Sequence, residues 1–407
     1  MKVLANISQL ATCRAEGQQG DIHAIPDAAM VWDEGVIQWV GPEKELPAEY
    51  RRAERLDASG RLVIPGLVDC HTHLAFAGWR AGEFEQRLLG RSYLDIARDG
   101  GGILSTVRQT RAATEEDLRG RAAGFLQQML VLGVTTVECK SGYGLDPDSE
   151  LKLLRVYHRL AAEQPVRLVP TFLGAHVIPP EFRNNRSGYV DLLVKQMIPA
   201  VVEAELARCC DVFVEDSAFS VAEAGRILRT GQDSGLAAKL HADQLTSGGG
   251  AELAAELGAW SADHLEHISE HGIRAMAAKG VVAVGLPLAS LYLGQPPMPA
   301  RRLIEGGVAV AVATDFNPGS APSFHLPLAL TLACTLQRMT PAEALKGATI
   351  YAARAVGLEA SVGSLEAGKA ADFAVLDAPD VSHWIYHFRP NACVMTVISG
   401  LERWTAP

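Results

Sequence analysis

The 407-residue chain contains no basic cluster, no long apolar run and no CxxC pair. Acidic residues outnumber Lys and Arg by 47 to 37, which gives a formal net charge of −10, so we expect neither nucleic acid nor an anionic membrane surface as a partner. No apolar stretch approaches the roughly 18 residues that a membrane-spanning helix needs. Without a CxxC pair, the commonest pattern of a structural zinc site is also excluded.

Cysteine is scarce as well, and its seven copies are odd in number and irregularly spaced. This usage favours reduced thiols over a disulfide framework, with the adjacent Cys209 and Cys210 in the core or beside a helix. Asn6, Ser8 and Gln9 interrupt the apolar start of the chain before the core of a signal peptide develops. We therefore expect a cytoplasmic protein.

What the sequence does contain is a regular alternation of short apolar runs with longer helical patterns. Apolar residues make up 48% and charged residues 21%, as in a folded globular protein. Eight β-branched or apolar runs are found between residues 60 and 320: 62–70, 134–139, 166–172, 211–216, 236–242, 261–267, 281–286 and 308–314. Strands that alternate with helices in this way form parallel sheets, and eight of them predict a closed TIM-like (β/α)8 barrel of the α/β class.

Several intervening helices have recognisable starts. Thr114 and Ser220 each stand three residues before an acidic residue, which is the spacing of a capping box. Pro341 follows Thr340 at a first helical position, so a final helix is predicted there. Apolar residues at helical spacing then predict which face of the first of these helices packs on the barrel, namely Leu118, Ala122, Phe125, Met129 and Leu132.

The two ends of the chain have a different pattern from the middle. Residues 1–59 and the tail after 362 alternate apolar and polar residues, which is typical of antiparallel β-structure. Neither end alone makes a convincing core, so we expect both to meet in one small β-sandwich beside the barrel. The predicted domains are therefore 1–59 and 363–407 for the two parts of the sandwich and 60–362 for the barrel.

The strongest chemical feature is the sequence HTH, which follows the first predicted barrel strand. His71 and His73 alternate with Thr72, so both imidazoles project to the same face and can bind one ion. His241, His264 and Asp315 stand at or near the ends of three further predicted strands, and the carboxyl ends of barrel strands form the active-site face. Three histidines and a carboxylate suit zinc or iron. The alternative is that each is an ordinary polar residue of a loop or the core.

Longer motifs make the chain resemble the amidohydrolase superfamily and, within it, the branch that opens the imidazolone ring in histidine degradation. The motifs with the widest spread in the superfamily are HxH and the late Asp315, whereas three others are specific to this branch: SGYGL at 141–145, FLGAH at 172–176 and DFNPGS at 315–320. The resemblance covers nearly the whole chain. It implies hydrolysis of the lactam C–N bond of 4-imidazolone-5-propanoate to N-formimidoyl-L-glutamate by a homodimer.

The resemblance also implies a set of site residues. One divalent metal ion, zinc or iron, would be held by His71, His73, His241 and Asp315. Substrate contacts would come from Arg80, Tyr143, His176, Gln244, Asn317, Gly319 and Ser320. For catalysis it indicates Asp315 as the group that moves the proton, His264 as the group that stabilises the oxyanion, and His241 beside them. Gln244 is able to hydrogen-bond the ring but not to transfer a proton.

For two of the predicted substrate residues, the sequence also gives a physical reason that does not depend on the resemblance. Arg80 lies on the long loop after the first barrel strand, where its planar guanidinium can bind a carboxylate through two hydrogen bonds. Tyr143 stands between glycines that allow a tight turn. A solvated loop arginine and an ordinary turn tyrosine are the alternatives. Arg91 and Tyr93 share the loop with Arg80 as weaker candidates.

Other polar residues receive no place in the predicted site. Lys140 follows the second predicted strand rather than the fourth, where binuclear relatives carry their carboxylated lysine, so a structural or substrate-loop role is expected. Glu138 is expected to be packed or exposed, without a specific partner.

Two other functions are compatible with the same metal residues. One is an amidohydrolase that deaminates a nucleobase-like ring, for which Arg80 and SGYGL would have no obvious use. The other is a noncatalytic barrel that serves as a binding protein, although such proteins usually lack metal ligands and all four are present here.

Overall fold

The structure is a computed structural model that describes the backbone of residues 1–407 and all side chains except those of Tyr93, Leu94 and Ala97. The strands are β1 (Lys2–Ala11), β2 (Ala24–Asp33), β3 (Val36–Pro42), β4 (Glu54–Pro65), β5 (Leu67–Asp69), β6 (Val134–Lys140), β7 (Arg167–Ala175), β8 (Cys209–Val214), β9 (Ala237–Ala242), β10 (Ser261–His264), β11 (Val282–Gly285), β12 (Val310–Val312), β13 (Phe373–Leu376), β14 (Cys393–Ile398) and β15 (Leu401–Thr405).

The α-helices are α1 (Ala81–Leu88), α2 (Tyr93–Arg98), α3 (Ile103–Ala112), α4 (Glu115–Val131), α5 (Pro147–Glu163), α6 (Arg186–Leu192), α7 (Ile198–Glu203), α8 (Val221–Asp233), α9 (Gly250–Leu257), α10 (Glu270–Lys279), α11 (Pro287–Leu293), α12 (Ala300–Glu305), α13 (Leu326–Gln337), α14 (Pro341–Gly347), α15 (Ile350–Ala355) and α16 (Val381–Tyr386). Short 3-10 turns at Glu43–Glu45, Ala48–Arg52 and Pro180–Phe182 and a π-helical turn at Leu193–Met197 complete the elements.

Strands β5 to β12 form an eight-stranded sheet in sequence order, and every neighbouring pair is parallel. The sheet closes where its first and last strands end, because the His73 amide donates to the Phe316 carbonyl at 2.8 Å and the Asp315 amide to the His71 carbonyl at 3.0 Å. The predicted parallel barrel is confirmed. This closure also brings the HTH motif beside Asp315.

Both chain ends meet in a separate seven-stranded sheet with the order β15-β14-β13-β4-β1-β2-β3. Its apolar core combines residues from both ends, such as Leu4, Trp32 and Phe373. Five of its six neighbouring pairs are antiparallel, but β1 and β4 run parallel. The expectation of wholly antiparallel ends was wrong at this pair, because β1 and β4 are not consecutive and the hairpin of β2 and β3 separates them in the chain.

The apolar run at 62–70 is divided between the two sheets and is not one barrel strand. Residues 62–65 end β4 in the seven-stranded sheet, and β5 begins the barrel at Leu67. Gly66 lies between them, and a Cβ there would be 2.3 Å from the Thr135 hydroxyl oxygen. Glycine therefore permits the close approach that lets the chain pass directly from one sheet to the other.

The predicted helix starts are confirmed. Thr114, Ser220 and Thr340 each accept from the amide three residues ahead in a complete capping box. Helix α4 buries Leu118, Ala122 and Met129 of the predicted face, together with Leu126 and Leu130. All seven cysteines carry free thiols, and Cys209 and Cys210 are buried in β8 as expected. In the described part of the chain, no helix combines the length and apolar character needed to cross a membrane.

Candidate active site

Five predicted residues converge at the carboxyl end of the barrel: His71, His73, His241, His264 and Asp315. Candidate ligand atoms of His71, His73 and Asp315 lie within 4.8 Å of one another, and so do those of His71, His241 and His264. The Asp315 Oδ1 atom is 3.5 Å from the Nε2 atoms of both His71 and His73. All five residues are at most 3% exposed.

Carboxylates behind the cluster orient two of its imidazoles. Asp263 Oδ2 is 2.6 Å from His71 Nδ1, and Asp211 Oδ2 is 3.1 Å from His241 Nδ1. Since an ionised carboxylate only accepts hydrogen bonds, Nδ1 is the donor in both rings, which leaves Nε2 as the atom that can face an ion. Both of these Nε2 atoms are buried and, among the described residues, have no hydrogen-bond partner.

The ionisation states also suit a cation. Burial lowers the pKa of His73 to about 3 and that of His241 to about 4, so both rings are neutral at pH 7. Burial opposes ionisation of Asp315, but its contacts with His71 and His73 outweigh this effect and hold its pKa well below the usual range. Neutral imidazoles and a carboxylate are the forms that bind metals, and the unpaired Nε2 atoms otherwise carry the full cost of buried, unsatisfied acceptors. The residues present therefore fit a divalent metal.

His264 differs from the other histidines in its charge environment. Glu266 Oε1 lies 3.7 Å from its Nδ1 atom and also accepts from the Ser290 hydroxyl at 3.1 Å. Burial disfavours a proton on His264, but the carboxylates of Glu266 and Asp315 outweigh burial and raise its pKa. The backbone φ angles of +79° at His264 and +65° at Leu265 are left-handed, so the chain bends sharply where the ring is presented.

A cavity of about 260 Å³ opens above the cluster. It is lined by His73, His241, His264 and Asp315 and by six of the seven predicted substrate residues, namely Arg80, Tyr143, His176, Gln244, Asn317 and Ser320. Further lining residues that sequence reasoning missed include Ile103, Phe213, Ser217 and Gln295. Ile103 begins α3, Phe213 lies in β8, and Ser217 and Gln295 lie in separate loops, so no shared spacing marked them as site residues.

Gly319, the seventh predicted substrate residue, contacts Arg80. A Cβ at position 319 would lie 1.7 Å from the Arg80 Nη2 atom and 1.9 Å from its Cζ atom. The Arg80 amide also donates to the Pro318 carbonyl at 3.2 Å. The guanidinium therefore packs so closely against Gly319 that a side chain at this position would collide with it.

We expect Gly319→Ala to raise the KM for an anionic substrate about tenfold, because the new methyl group displaces the Arg80 guanidinium and its charge-assisted hydrogen bonds are weakened. Steady-state kinetics of the purified variant measures this effect. Gly82→Ala is the matched control, since it adds the same methyl group two residues after Arg80, where no described atom lies within 4 Å. Equal KM values for the two variants would contradict the expectation.

The SGYG turn that carries Tyr143 is fixed from below by Glu150. This buried carboxylate accepts from the amides of Gly142, Gly144 and Leu145 at 2.7–3.0 Å. His176 contacts the same turn through its Nδ1 atom, 3.0 Å from the Gly142 carbonyl, and its ring stacks on His73 with centroids 5.2 Å apart. Tyr143 and His176 therefore form one rigid wall of the cavity.

Asn317 organises the loop around it. Its Oδ1 atom accepts from the amides of Gly319 and Ser320 at 2.8 Å, and its Nδ2 atom donates to the Asp315 carbonyl at 2.7 Å and the Ser320 hydroxyl at 2.8 Å. With both ends of its amide engaged, Asn317 holds the segment that connects the metal cluster to Arg80.

The remaining predictions concern residues that were placed outside the site or named as weaker candidates. Glu138 and Lys140 are completely buried and form an ion pair, so the expectation that Glu138 has no specific partner was wrong. Their alternation on the buried strand β6 was the missed signal, because it places both side chains on one face. Arg91 pairs with Asp99 in solvent, and the Tyr93 side chain lies outside the described residues.

Comparisons with known proteins agree with this architecture. The sequence model of the amidohydrolase family matches residues 62–402. Imidazolonepropionase of Symbiobacterium thermophilum is 50% identical over 385 residues, which cover 93% of this chain and 91% of that protein. Imidazolonepropionase of Cupriavidus necator is 48% identical over 379 residues, covering 93% and 91%.

Solved structures with the same fold are more distant in sequence. E. coli guanine deaminase superposes with a TM-score of 0.74 at 17% identity and covers both chains completely. A 5-methylcytosine deaminase from Klebsiella pneumoniae gives a TM-score of 0.76 at 17% identity and covers 100% of this chain and 98% of its own. At this level of identity the likeness concerns the fold alone.

Proposed function

The chain belongs to the amidohydrolase family and, within it, to the imidazolonepropionases, and from this premise we propose how its cavity hydrolyses 4-imidazolone-5-propanoate. The reaction adds water across the lactam C–N bond: a C–O bond forms at the carbonyl carbon, the C–N bond breaks, and the ring nitrogen takes up a proton. The product is N-formimidoyl-L-glutamate, an intermediate of histidine degradation.

The observation that carries this proposal is the cavity's arrangement of charge. Arg80, whose guanidinium packs on Gly319, provides a buried cation in the wall, and the cluster of histidines with Asp315 lines the same cavity. A small ring with a carboxylate tail has complementary chemistry: Arg80 binds the propanoate and the ring carbonyl faces the cluster. Tyr143, His176 and Gln244 line the wall of the same cavity and are proposed to contact the ring.

His71, His73, His241 and Asp315 would hold the metal ion. A divalent cation there would supply a lowered pKa of a water molecule and polarisation of the substrate carbonyl group. We propose that Asp315 accepts the proton of the attacking water and returns it to the departing ring nitrogen. His264, whose proton the Glu266 and Asp315 carboxylates stabilise, donates a hydrogen bond to the carbonyl oxygen as its charge develops. Gln244 orients the ring without transferring a proton.

Deamination of a neutral nucleobase-like ring is the alternative within the family. It leaves Arg80 without an anionic partner in the substrate, whereas the propanoate supplies one. The noncatalytic alternative is less favoured, because candidate ligand atoms of His71, His73 and Asp315 lie within 4.8 Å of one another.

The test is turnover of freshly generated 4-imidazolone-5-propanoate, with metal content determined on the same sample. We expect loss of the imidazolone absorbance with about one equivalent of zinc or iron per chain, abolition by a chelator, and recovery when the metal is restored. No turnover by protein that holds its metal would favour a related aminohydrolase. Absence of both metal and turnover would favour the noncatalytic barrel.

The finer properties of the protein follow from the same proposal. Imidazole and carboxylate ligands accept both zinc and iron, so reconstitution with each metal in turn identifies the better one. The resemblance implies a homodimer in the cytoplasm, and sedimentation of the holoenzyme tests the expected state of two chains.

A further inference from the structure

Behind the active site, on the side away from the cavity, lies a group of charged side chains that the reaction described above does not use. Glu138 and Lys140 of β6, Asp211 of β8, Lys239 of β9 and Asp263 of β10 all point into the barrel and are completely buried. Charges at this depth are costly unless they are paired. The partners of these charged side chains therefore show which parts of the barrel interior they hold in place.

Lys140 is the centre of this group. Its Nζ atom donates to Asp211 Oδ2 at 2.7 Å and to Glu138 Oε1 at 2.8 Å, and it lies 3.6 Å from Asp263 Oδ2. Burial opposes the charge on Lys140, but these carboxylates outweigh it and raise its pKa well above the usual value. One ammonium group therefore joins three carboxylates from three different strands.

Each of the three carboxylates leads to a candidate metal ligand. Asp211 accepts from the Nδ1 atom of His241 and also from its backbone amide at 3.2 Å. Asp263 accepts from the Nδ1 atom of His71.

Glu138 acts on the backbone between His71 and His73. Its Oε2 atom accepts from the Thr72 amide at 3.3 Å, and its carbonyl accepts from the Thr72 hydroxyl at 2.7 Å. The Lys140 amide in turn donates to the Thr72 carbonyl at 2.9 Å. The HTH segment is thus held against β6 by both the side chain and the backbone of this pair.

We propose that Lys140 is a positioning residue of the metal centre, which fixes His71, His73 and His241 at once through the carboxylates that hold them. Partners that accept from a ligand histidine set its tautomer and increase its basicity, and their loss typically weakens metal binding by 10- to 100-fold. Without the ammonium, Glu138 and Asp211 would be buried charges lacking compensation. The hydrogen bonds that hold the two carboxylates in place would be lost, and with them the support of the histidines.

Lys239 provides a matched control. It is equally buried, lies on the same interior face of β9 as His241 and, like Lys140, is 3.6 Å from Asp263 Oδ2. Its Nζ atom donates to the Ser261 hydroxyl at 2.7 Å and to the Ala355 carbonyl at 3.2 Å, whereas Lys140 donates to Glu138 and Asp211. Replacing either lysine by Met removes a buried ammonium and keeps an unbranched chain. The two variants therefore share a general cost in stability and the loss of a charge beside Asp263, but only Lys140→Met loses the hydrogen bonds to Glu138 and Asp211.

The experiment measures the dissociation constant of Zn²⁺ by competition with a chelating indicator for the wild-type chain, Lys140→Met and Lys239→Met. We expect Lys140→Met to bind Zn²⁺ about 10- to 100-fold more weakly and Lys239→Met to stay within about threefold of wild type, although both unfold more easily. The visible absorption spectrum of bound Co²⁺ should change only in Lys140→Met. The proposal would be overturned if both variants lost Zn²⁺ affinity equally. It would also be overturned if the Zn²⁺ dissociation constant of Lys140→Met stayed within about threefold of wild type.

A double variant tests whether Lys140 affects metal binding through Asp211. If Lys140 acts through Asp211, then Lys140→Met combined with Asp211→Asn should bind Zn²⁺ within about threefold of the weaker single variant, whereas multiplied losses would show independent effects and contradict the route. If Lys140→Met does not fold, Lys140→Gln retains hydrogen-bond donors without the charge, and unchanged affinity in that variant would equally overturn the proposal. The inference rests on the proposed metal site, and the two remain distinguishable: a wild-type chain that binds no Zn²⁺ overturns the site itself.

Discussion

Asp315→Asn is expected to lower kcat about a thousandfold while the metal remains bound, because the amide keeps the shape of the side chain and an oxygen ligand but accepts no proton from water. The side chain is fixed between His71 and His73, and its carboxylate is held ionised, so the wild-type residue is ready to accept a proton. Turnover and metal content are measured on the same preparation in excess Zn²⁺, which separates loss of the base from loss of the ligand.

Asp216→Asn is the control for this change. It makes the same substitution just beyond the end of β8 at an exposed side chain, so the change in net charge is identical and kcat should be unaltered. An Asp315→Asn variant with its metal bound and near-normal turnover would show that another group moves the proton.

Arg80→Ala is expected to raise the KM for 4-imidazolone-5-propanoate about a hundredfold and to change kcat less than about threefold. Arg80 is 6% exposed and is proposed to bind a charge remote from the reacting bond, so we expect it to contribute nearly equally to binding of the ground state and the transition state. Arg80→Lys should recover only part of the affinity, since an ammonium cannot form the paired hydrogen bonds of a guanidinium.

A neutral substrate gives the sharper comparison for Arg80. The wild-type chain and Arg80→Ala should hydrolyse 4-imidazolone-5-propanamide with similar kcat/KM, because the amide offers no carboxylate. A loss in kcat with unchanged KM for the acid would instead place Arg80 in the chemical step.

The HTH motif shows most clearly how much of the site can be predicted from the sequence. Alternation along a strand predicted that His71 and His73 share a face, and parallel strands predicted that His241, His264 and Asp315 lie at the same end of the barrel. The structure brings all five together. These predictions succeeded because they depend on local periodicity and on one property of the fold, the common direction of its strands.

The same kind of reasoning failed where contacts join residues distant in the chain. Lys140 and Asp211 are 71 residues apart, and His71 and Asp263 are 192 apart. Neither spacing nor residue type selects one buried partner among many at such separations. The internal hydrogen bonds of Asn317 within its own loop were not predicted either, while its predicted contact with substrate stays a prediction.

The position at which the chain passes from one sheet to the other could not be predicted from the sequence either. Residues 62–70 form one apolar run, yet the chain changes sheets at Gly66. Both sheets bury these residues, so hydrophobicity is the same on either side of the change. The approach of Thr135 to Gly66, which marks the crossing, exists only after β6 has packed beside β5. The predicted domain limits of 1–59, 60–362 and 363–407 stay predictions.

By itself, the sequence determined the eight parallel strands, the helix starts and the ligand types at the strand ends, because each of these is encoded by neighbours a few residues apart. Only the tertiary structure decided which carboxylate accepts from which histidine. It also decided that Lys140 contacts three carboxylates and that Arg80 packs against Gly319. Those contacts bring together groups from separate strands and loops in a buried interior, where a charge or a polar atom is stable only beside its own partner.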